Sequence, residues 1–253
     1  MSPLPARKPL IIAHRGASAY APENTRAAFL LARVMGADGF ECDVHLSKDG
    51  VPVVIHDDNL KRVARVKQRV CDLTLRQLRQ CDVGSWFARR FSGERILTLE
   101  ETLAVAGPDF TCMIELKESG EAARDRCLAL EVAALLENAH ATACSFSDAM
   151  CKALRAERPA LHVDLICNAS SRQRWAAALQ LSHHHGLSGL GVNYRHLTAA
   201  RVTQAHAAGL RVDAWTVNRA ASWARLAQMG VDAIETDKPD LAIRVLASAG
   251  FTA

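Results

Sequence analysis

The chain has 253 residues and a formal net charge of +4 at pH 7. Its length suits one large α/β domain or two small ones, and its 49% hydrophobic and 23% charged residues are ordinary values for a globular protein. The positive charges are scattered, and the densest run, 61–69, contains few aromatic residues, so we expect no nucleic-acid partner. No run approaches eighteen apolar residues, so we expect no stable membrane association.

The eight cysteines form no CxxC pair and show no regular spacing. Four of them, Cys42, Cys112, Cys144 and Cys167, lie in apolar strand-like runs, where a free thiol packs as a small hydrophobic group. A disulfide framework would be unusual in a chain of this size. The apolar stretch 10–13 is too short for a signal-peptide core. We therefore expect reduced thiols and a cytoplasmic location.

Short β-branched runs alternate with segments of helical periodicity along almost the whole chain. The predicted strands are 10–14, 39–44, 111–117, 141–146, 162–167, 189–193, 211–217 and 233–236. The predicted helices are 25–34, 98–105, 121–136, 171–181, 198–208, 220–229 and 241–249. This alternation indicates a parallel sheet with right-handed crossovers. Eight units in one chain of this length favour a (β/α)8 TIM barrel formed by residues 1–253, with a doubly wound open sheet as the alternative.

One segment, 46–97, interrupts this alternation. It opens with the turn signal Lys48-Asp49-Gly50 and continues with a short predicted strand, 51–55. A basic run and a predicted helix around 75–79 follow. We interpret the segment as an insertion after the second strand, either a lid or a small subdomain near the rim. Thr98, with Glu101 three residues later, predicts the capped start of the next helix.

Polar and ionisable residues recur where the predicted strands end. They are His14, Arg15, Glu41, Asp43, Glu115, Lys117, Ser145, Asn168, Asn193, Asn218 and Asp237. In a (β/α)8 barrel the strand ends and the loops after them build the active site. An open sheet would concentrate such residues at one switch point instead. The even spread therefore favours the barrel and places the site on its C-terminal rim.

The Glu41-Cys42-Asp43 triplet is the most informative local motif. Alternate residues of a strand share a face, so the two carboxylates point the same way and repel each other unless a cation lies between them. Glu115 could supply a third carboxylate from the next strand. Oxygen ligands of this kind suit Mg²⁺ or Ca²⁺. The alternative is that these acids form ordinary ion pairs with Arg15, Lys117 or Arg62.

Other rim residues suggest proton transfer and anion binding. His14 and His56 each end a short apolar run, and histidine titrates near neutrality, so the pair could divide proton abstraction from donation. Arg15 and Lys117 would add fixed positive charge for a phosphate. Their alternatives are hydrogen-bonded histidines at the core edge and simple neutralisation of the carboxylates. Trp215 could form a pocket wall or pack in the core.

A longer pattern resembles the glycerophosphodiester phosphodiesterase family. The segments that carry the resemblance are HRGASAYAPENTRAAF at 14–29, GFECDVHLSKDGVPVVIHDDNLKR at 39–62, LTLEETL at 97–103, the Glu115-Leu116-Lys117 triplet, AWTVN at 214–218 and GVDAIETDKPD at 230–240. They follow the family's order and span nearly the entire chain. The length and the absence of a signal sequence resemble the short cytoplasmic members.

The resemblance implies a TIM barrel with an insertion and a metal-dependent cleavage of small-molecule glycerophosphodiesters into glycerol 3-phosphate and an alcohol. It implies Glu41, Asp43 and Glu115 as ligands of Mg²⁺ or Ca²⁺. It also implies His14 and His56 as the acid/base pair and Arg15 and Lys117 as phosphate-binding residues. Glu23 and Asn24 are expected to organise the rim. The chain departs from the family at RVARVKQRVCD (62–72), at Ala214 and at Glu235.

Several alternatives stay open at this point. The nucleophile could be water or the neighbouring glycerol hydroxyl, and either histidine could act first. A lipid-cleaving barrel phosphodiesterase and a non-catalytic barrel that binds phosphorylated ligands are the rival functions. The preferred alcohol, the choice of ion and the oligomeric state do not follow from the sequence.

Overall fold

A computed structural model describes residues 8–137 and 140–251, and its centre is a closed barrel of eight parallel strands. The nine strands are β1 (Leu10–Ala13), β2 (Gly39–Leu46), β3 (Pro52–Val54), β4 (Thr111–Leu116), β5 (Ala141–Ser145), β6 (His162–Cys167), β7 (Gly189–Asn193), β8 (Arg211–Trp215) and β9 (Ala233–Thr236). β1 pairs in parallel with both β2 and β9, which closes the barrel, and only β3 runs antiparallel. The barrel is confirmed and the open sheet is excluded.

Ten α-helices in the described residues surround or extend the barrel. They are α1 (Arg26–Val34), α2 (Lys61–Ala64), α3 (Leu75–Leu78), α4 (Leu99–Ala106), α5 (Ala122–Leu135), α6 (Asp148–Glu157), α7 (Arg172–His184), α8 (Ala199–Ala207), α9 (Ala220–Met229) and α10 (Pro239–Ser248). The predicted elements match these within a few residues at each end. Two helices, α2 and α6, were not predicted.

Local signals in the sequence explain where several helices begin. Thr98 caps α4 by accepting a hydrogen bond from the backbone N–H of Glu101, whose side chain accepts the reciprocal bond from the N–H of Thr98. Thr74 and Gln77 form the same capping box at α3. The predicted cap at Thr98 is therefore present.

The hydrophobic residues form a large core between the strands and the outer helices, with a small cluster inside the barrel made by Ile12, Met113 and Ala233. Gly39 lets neighbouring strands approach, because a Cβ there would lie 2.3 Å from the carbonyl oxygen of Thr111. Side chains therefore pack the interior of the barrel below the rim.

The insertion between β2 and β4 has a hydrophobic cluster of its own. Its fully buried members are Val53, Ile55, Leu60, Val63, Val70, Leu78, Val83 and Ile96. β3 attaches the segment to the barrel through its antiparallel pairing with the end of β2. The insertion is therefore anchored beside the strand that carries Glu41 and Asp43.

All eight cysteines are free thiols, as predicted. In the described part of the chain, every helix is too short or too polar to traverse a lipid bilayer.

His183 and His184 form the last turn of α7, and His185 caps it, so these residues belong to a helix C-terminus.

Candidate active site

One cavity of about 200 Å³ lies at the C-terminal rim of the barrel. Seven of the eight predicted site residues line it: His14, Arg15, Glu41, His56, Glu115, Lys117 and Trp215. The eighth, Asp43, is fully buried beside them and contacts both Arg15 and Lys117. The structure therefore brings the whole predicted set together, although the set comes from strands β1, β2, β4 and β8 and from the insertion.

A tight turn after β1 orients the first of these residues. Arg15 and Gly16 both have left-handed backbones, with φ of +57° and +79°. Gly16 is required here, because a Cβ would lie 2.6 Å from the carbonyl carbon of Ala28. The turn directs the backbone N–H of Arg15 to Glu41 Oε2 at 3.0 Å. A non-glycine residue in this strained conformation at a rim turn indicates a functional constraint.

Three carboxylates lie together at the cavity: Glu41 and Glu115 line it, and Asp43 is buried beside them. Glu41 and Asp43 lie two residues apart on β2, and Asp43 is in register with Glu115 on β4. One donor atom from each lies within 4.8 Å of the others. Glu41 Oε1 is buried and has no hydrogen-bond partner among the described residues. Burial and the neighbouring charges of Asp43 and Glu115 raise the pKa of Glu41 well above its usual range, so a cation is needed to hold this group ionised.

Two basic side chains balance part of this negative charge. Lys117 Nζ lies 2.9 Å from Asp43 Oδ1 and 2.5 Å from Glu115 Oε1, and Arg15 Nε lies 3.2 Å from Asp43 Oδ2. Burial opposes ionisation of Asp43, but the charges of Lys117 and Arg15 outweigh it and lower the pKa of Asp43. The ion pairs considered as the alternative are thus present. Even with these ion pairs, the three carboxyl groups of Glu41, Asp43 and Glu115 outnumber the two positively charged side chains.

Each predicted catalytic histidine is held by a carboxylate through its Nδ1. His14 Nδ1 lies 2.7 Å from Asp237 Oδ1, and His56 Nδ1 lies 2.7 Å from Asp57 Oδ1. In both rings Nε2 is the nitrogen that remains for a ligand. His14 Nε2 lies 3.4 Å from Thr216 Oγ1, which also lines the cavity.

Glu23 joins the barrel rim to the insertion. It accepts hydrogen bonds from Arg15 Nη1 at 3.0 Å and from Arg62 Nη1 and Nη2 at 2.6 and 2.8 Å. Arg62 also donates to Asp57, the partner of His56, at 2.8 and 3.1 Å. The basic run of the insertion therefore contributes one residue, Arg62, to the organisation of the site.

Two aromatic rings and a further carboxylate complete the cavity. Trp215 meets Phe146 edge to face with ring centroids 5.7 Å apart, and Phe146 is 48% exposed. Trp215 is thus a wall of the cavity, and its Nε1 has no partner among the described residues. Glu235 lies deeper, 7% exposed, with a donor atom within 4.8 Å of one from His14 and one from Glu41. Burial and the charge of Asp213 raise the pKa of Glu235 well above its usual range.

Several residues of the site were not singled out from the sequence. Asp237 and Asn218 were noted only as polar strand ends, and Phe146 and Ser18 gave no signal. Glu235 was noted only as a departure from the family pattern. Strand ends from opposite ends of the chain meet at the rim only once β9 has closed onto β1.

Comparison with known proteins gives a consistent result. A sequence model of the glycerophosphoryl diester phosphodiesterase family matches residues 14–241. The Bacillus subtilis (strain 168) protein YhdW is 37% identical over 242 residues, covering 92% of this chain and 96% of that protein. A glycerophosphodiester phosphodiesterase of Caldanaerobacter subterraneus subsp. tengcongensis is 34% identical over 247 residues, covering 96% and 100%. An Oleispira antarctica phosphodiesterase, solved with the product sn-glycerol-3-phosphate, superposes with a TM-score of 0.87 at 28% identity, covering 95% and 97%.

Proposed function

The chain belongs to the glycerophosphoryl diester phosphodiesterase family, and from that premise we propose how it hydrolyses glycerophosphodiesters to sn-glycerol 3-phosphate and an alcohol. The reaction forms a bond from the nucleophile's oxygen to phosphorus and breaks the bond from phosphorus to the alcohol oxygen. One proton leaves the nucleophile and one joins the departing alkoxide. The single observation that carries the proposal is the convergence of two histidines, two cations and three carboxylates on one cavity.

The acidic cluster fits a divalent cation. Glu41, Asp43 and Glu115 offer oxygen atoms within 4.8 Å of one another, and the buried Glu41 Oε1 has no partner in residues 8–137 and 140–251. Mg²⁺ and Ca²⁺ prefer such ligands. When bound, the ion supplies neutralisation of charge that develops on the phosphoryl oxygens. These three residues would hold it.

Arg15 and Lys117 would bind the phosphate from the same side. Both are mostly buried, so their charges act in a medium less polar than water. Burial opposes ionisation of Lys117, but the charges of Asp43 and Glu115 outweigh it and raise the pKa of Lys117 above its usual range. Lys117 therefore stays charged at neutral pH. Arg15 is additionally oriented by Glu23, which leaves its guanidinium little freedom.

His14 and His56 would transfer the two protons. Each offers Nε2 while its Nδ1 is bound to a carboxylate, which is the arrangement that holds an imidazole in one tautomer. A pair of such groups supplies the base that activates the nucleophile and the acid that protonates the alkoxide. The rings of Trp215 and Phe146 would pack against the carbon skeleton of the substrate.

A substrate panel tests this proposal. Glycerophosphocholine, glycerophosphoethanolamine and lysophosphatidylcholine are offered to EDTA-treated protein with no ion, Mg²⁺ or Ca²⁺. The products measured are glycerol 3-phosphate from the first two substrates and lysophosphatidic acid from the third. We expect release from the first two substrates, only with an ion present. Glu41→Gln should abolish release, whereas Glu131→Gln, an exposed change on α5, should leave it intact.

Three results would contradict the proposal in different ways. Full activity in excess chelator would show that the reaction needs no metal ion. Preferred turnover of lysophosphatidylcholine would favour a lipid-cleaving enzyme, and release from no substrate with either ion would favour a phosphate-binding barrel without catalysis. Hydrolysis in ¹⁸O-labelled water with early trapping of products separates direct attack by water from a route through a cyclic phosphate.

A further inference from the structure

We propose that Asp237 is a positioning residue that fixes the ring of His14 in a single tautomer, an inference that rests on the proposed function. Asp237 follows β9, whereas His14 follows β1, and the two residues are 223 positions apart in the chain. Their contact exists only because these strands pair to close the barrel. The carboxylate of Asp237 contacts Nδ1 of the ring, whereas Nε2 lies near Thr216, a residue that lines the cavity.

The carboxylate of Asp237 is held on both oxygens. Oδ1 accepts hydrogen bonds from His14 Nδ1 at 2.7 Å and from Ser18 Oγ at 3.1 Å. Oδ2 accepts one from Asn218 Nδ2 at 2.6 Å. The Asn218 amide is fixed in turn, because its Oδ1 accepts from the backbone N–H of Asp237 and from Thr236 Oγ1, both at 3.0 Å. Asp237 therefore has one orientation, and it is set by the loops after β1, β8 and β9.

This geometry defines the state of His14. An ionised carboxylate only accepts hydrogen bonds, so Nδ1 of the neutral ring must carry the proton. Nε2 then presents its lone pair to the cavity, next to Thr216. When His14 takes up a second proton, the charge of Asp237 stabilises the imidazolium. Burial opposes ionisation of Asp237, but the hydrogen bonds from His14, Asn218 and Ser18 outweigh it and lower the pKa of Asp237.

The two histidine–carboxylate pairs are not equivalent. Asp57, the partner of His56, also receives two hydrogen bonds from the charged Arg62. The other partners of Asp237 are neutral, and within the described part of the chain it forms an ion pair only with His14. Asp237 thus directs its charge at His14, whereas the charge of Asp57 is shared with a guanidinium.

Asp237→Asn tests the inference sharply because the fixed Asn218 dictates how the new amide must lie. Asn218 Nδ2 needs an acceptor, so the carbonyl of the substituted side chain would face Asn218 and its NH₂ group would face His14. His14 Nδ1 would then have to accept, and the ring proton would move to Nε2. We expect kcat to fall by at least ~10²-fold and toward the ~10⁴-fold that the wrong tautomer costs a Ser-His-Asp triad, with KM and Tm little changed.

The tautomer is read directly from ¹⁵N NMR of the histidine rings, with the His14 signals identified by their loss in His14→Gln. The matched control is Asp232→Asn, which alters the His206–Asp232 pair (2.8 Å) far from the cavity and should leave kcat unchanged. Asn218→Ala provides a second variant that keeps the Asp237 carboxylate but frees it to rotate. It should give a mixture of tautomers and an intermediate kcat.

Unchanged His14 ring signals in both Asp237→Asn and Asn218→Ala would overturn the inference. So would a loss of kcat that only follows a loss of Tm, since that is the signature of a merely structural contact. The NMR readout needs no substrate. A protein that releases no glycerol 3-phosphate but shows the tautomer change would refute the proposed function and leave the positioning role intact.

Discussion

Asn24 holds the metal-ligand candidate Asp43 through two hydrogen bonds: its Nδ2 donates to Asp43 Oδ2 at 2.7 Å, and its Oδ1 accepts from the Asp43 backbone N–H at 3.3 Å. Both residues are buried, and Asn24 has a left-handed backbone with φ of +57°. Asparagine tolerates this conformation better than most residues. The contact fixes the carboxylate on one side, while Arg15 and Lys117 contact it on others.

Asn24→Gly should weaken binding of the divalent ion by roughly 10–100-fold, the usual effect of removing a residue that orients a metal ligand. Glycine adopts the same positive φ without strain, so this substitution deletes the side chain and keeps the backbone. Titration calorimetry with Ca²⁺ and Mg²⁺ measures the change. Asn24→Ala is the comparison, since it adds backbone strain and should lower Tm further. Wild-type ion affinity in Asn24→Gly would show that Asp43 needs no such support.

Lys117→Met should change ion affinity and catalysis in opposite directions. Lys117 contacts Asp43 and Glu115, so removing its charge removes repulsion from the ion and should tighten divalent binding about tenfold or more. The same change deletes a phosphate contact and should lower kcat/KM. Calorimetry and steady-state kinetics measure the two effects, with the exposed Lys152→Met on α6 as control. Parallel losses of ion affinity and activity would instead indicate a collapsed site.

His14→Ala and His56→Ala should each lower kcat by roughly 10²–10⁴-fold while ion affinity stays near that of the wild type. The double variant should cost little more than either single one, because the two groups act in one reaction. A substrate with an aryl leaving group needs no protonation of the leaving oxygen, so it should restore activity to only one of the variants. That variant identifies the proton donor. Near-wild-type kcat in either single variant would remove that histidine from the mechanism.

The sequence predicted the parts of the site that depend on local spacing. The i, i+2 pattern of Glu41 and Asp43 places both carboxylates on one face of a strand, whatever the rest of the fold does. Likewise, the alternation of strand and helix patterns predicted a parallel sheet, and the even spread of polar residues at the strand ends favoured the closed barrel. The helix α6 was not predicted, although it buries Met150, Cys151 and Leu154 at helical spacing.

The supporting contacts could not be predicted, because each depends on closure of the barrel or on the docking of the insertion. Nothing in the sequence around Asn24 indicates a hydrogen bond to Asp43, which lies 19 residues further along the chain. Arg62 stands in a basic run whose scattered charges resemble an ordinary solvated surface, yet it bonds both Glu23 and Asp57. Such partners are set by three-dimensional packing, whereas the predicted site residues were recognisable from their own chemical type and spacing.

The stability of the folded protein should depend on pH through one buried carboxyl group. Asp164 on β6 is 1% exposed and lies 3.6 Å from Arg211, and Gly189 leaves room for it, because a Cβ there would lie 2.8 Å from Asp164 Oδ1. Burial raises the pKa of Asp164 to about 7; the charge of Arg211 opposes this, and the charges of two neighbouring aspartates add to it. Asp164 is thus a carboxyl group that keeps its proton in the folded state well above the ordinary pKa of ~3.9.

The sign of the effect follows from proton binding. Between about pH 4 and pH 7 the folded protein holds a proton that the unfolded chain has lost, so the contribution of Asp164 to stability falls as pH rises. The slope is at most ~1.4 kcal/mol per pH unit, and the contribution is constant below and above this window. Asp164→Asn cannot titrate, so the variant should gain stability relative to the wild type as pH rises from 4 to 7. Urea unfolding at each pH, with the exposed Asp109→Asn as control, measures the difference. A difference that stays constant with pH would show that folding does not raise the pKa of Asp164.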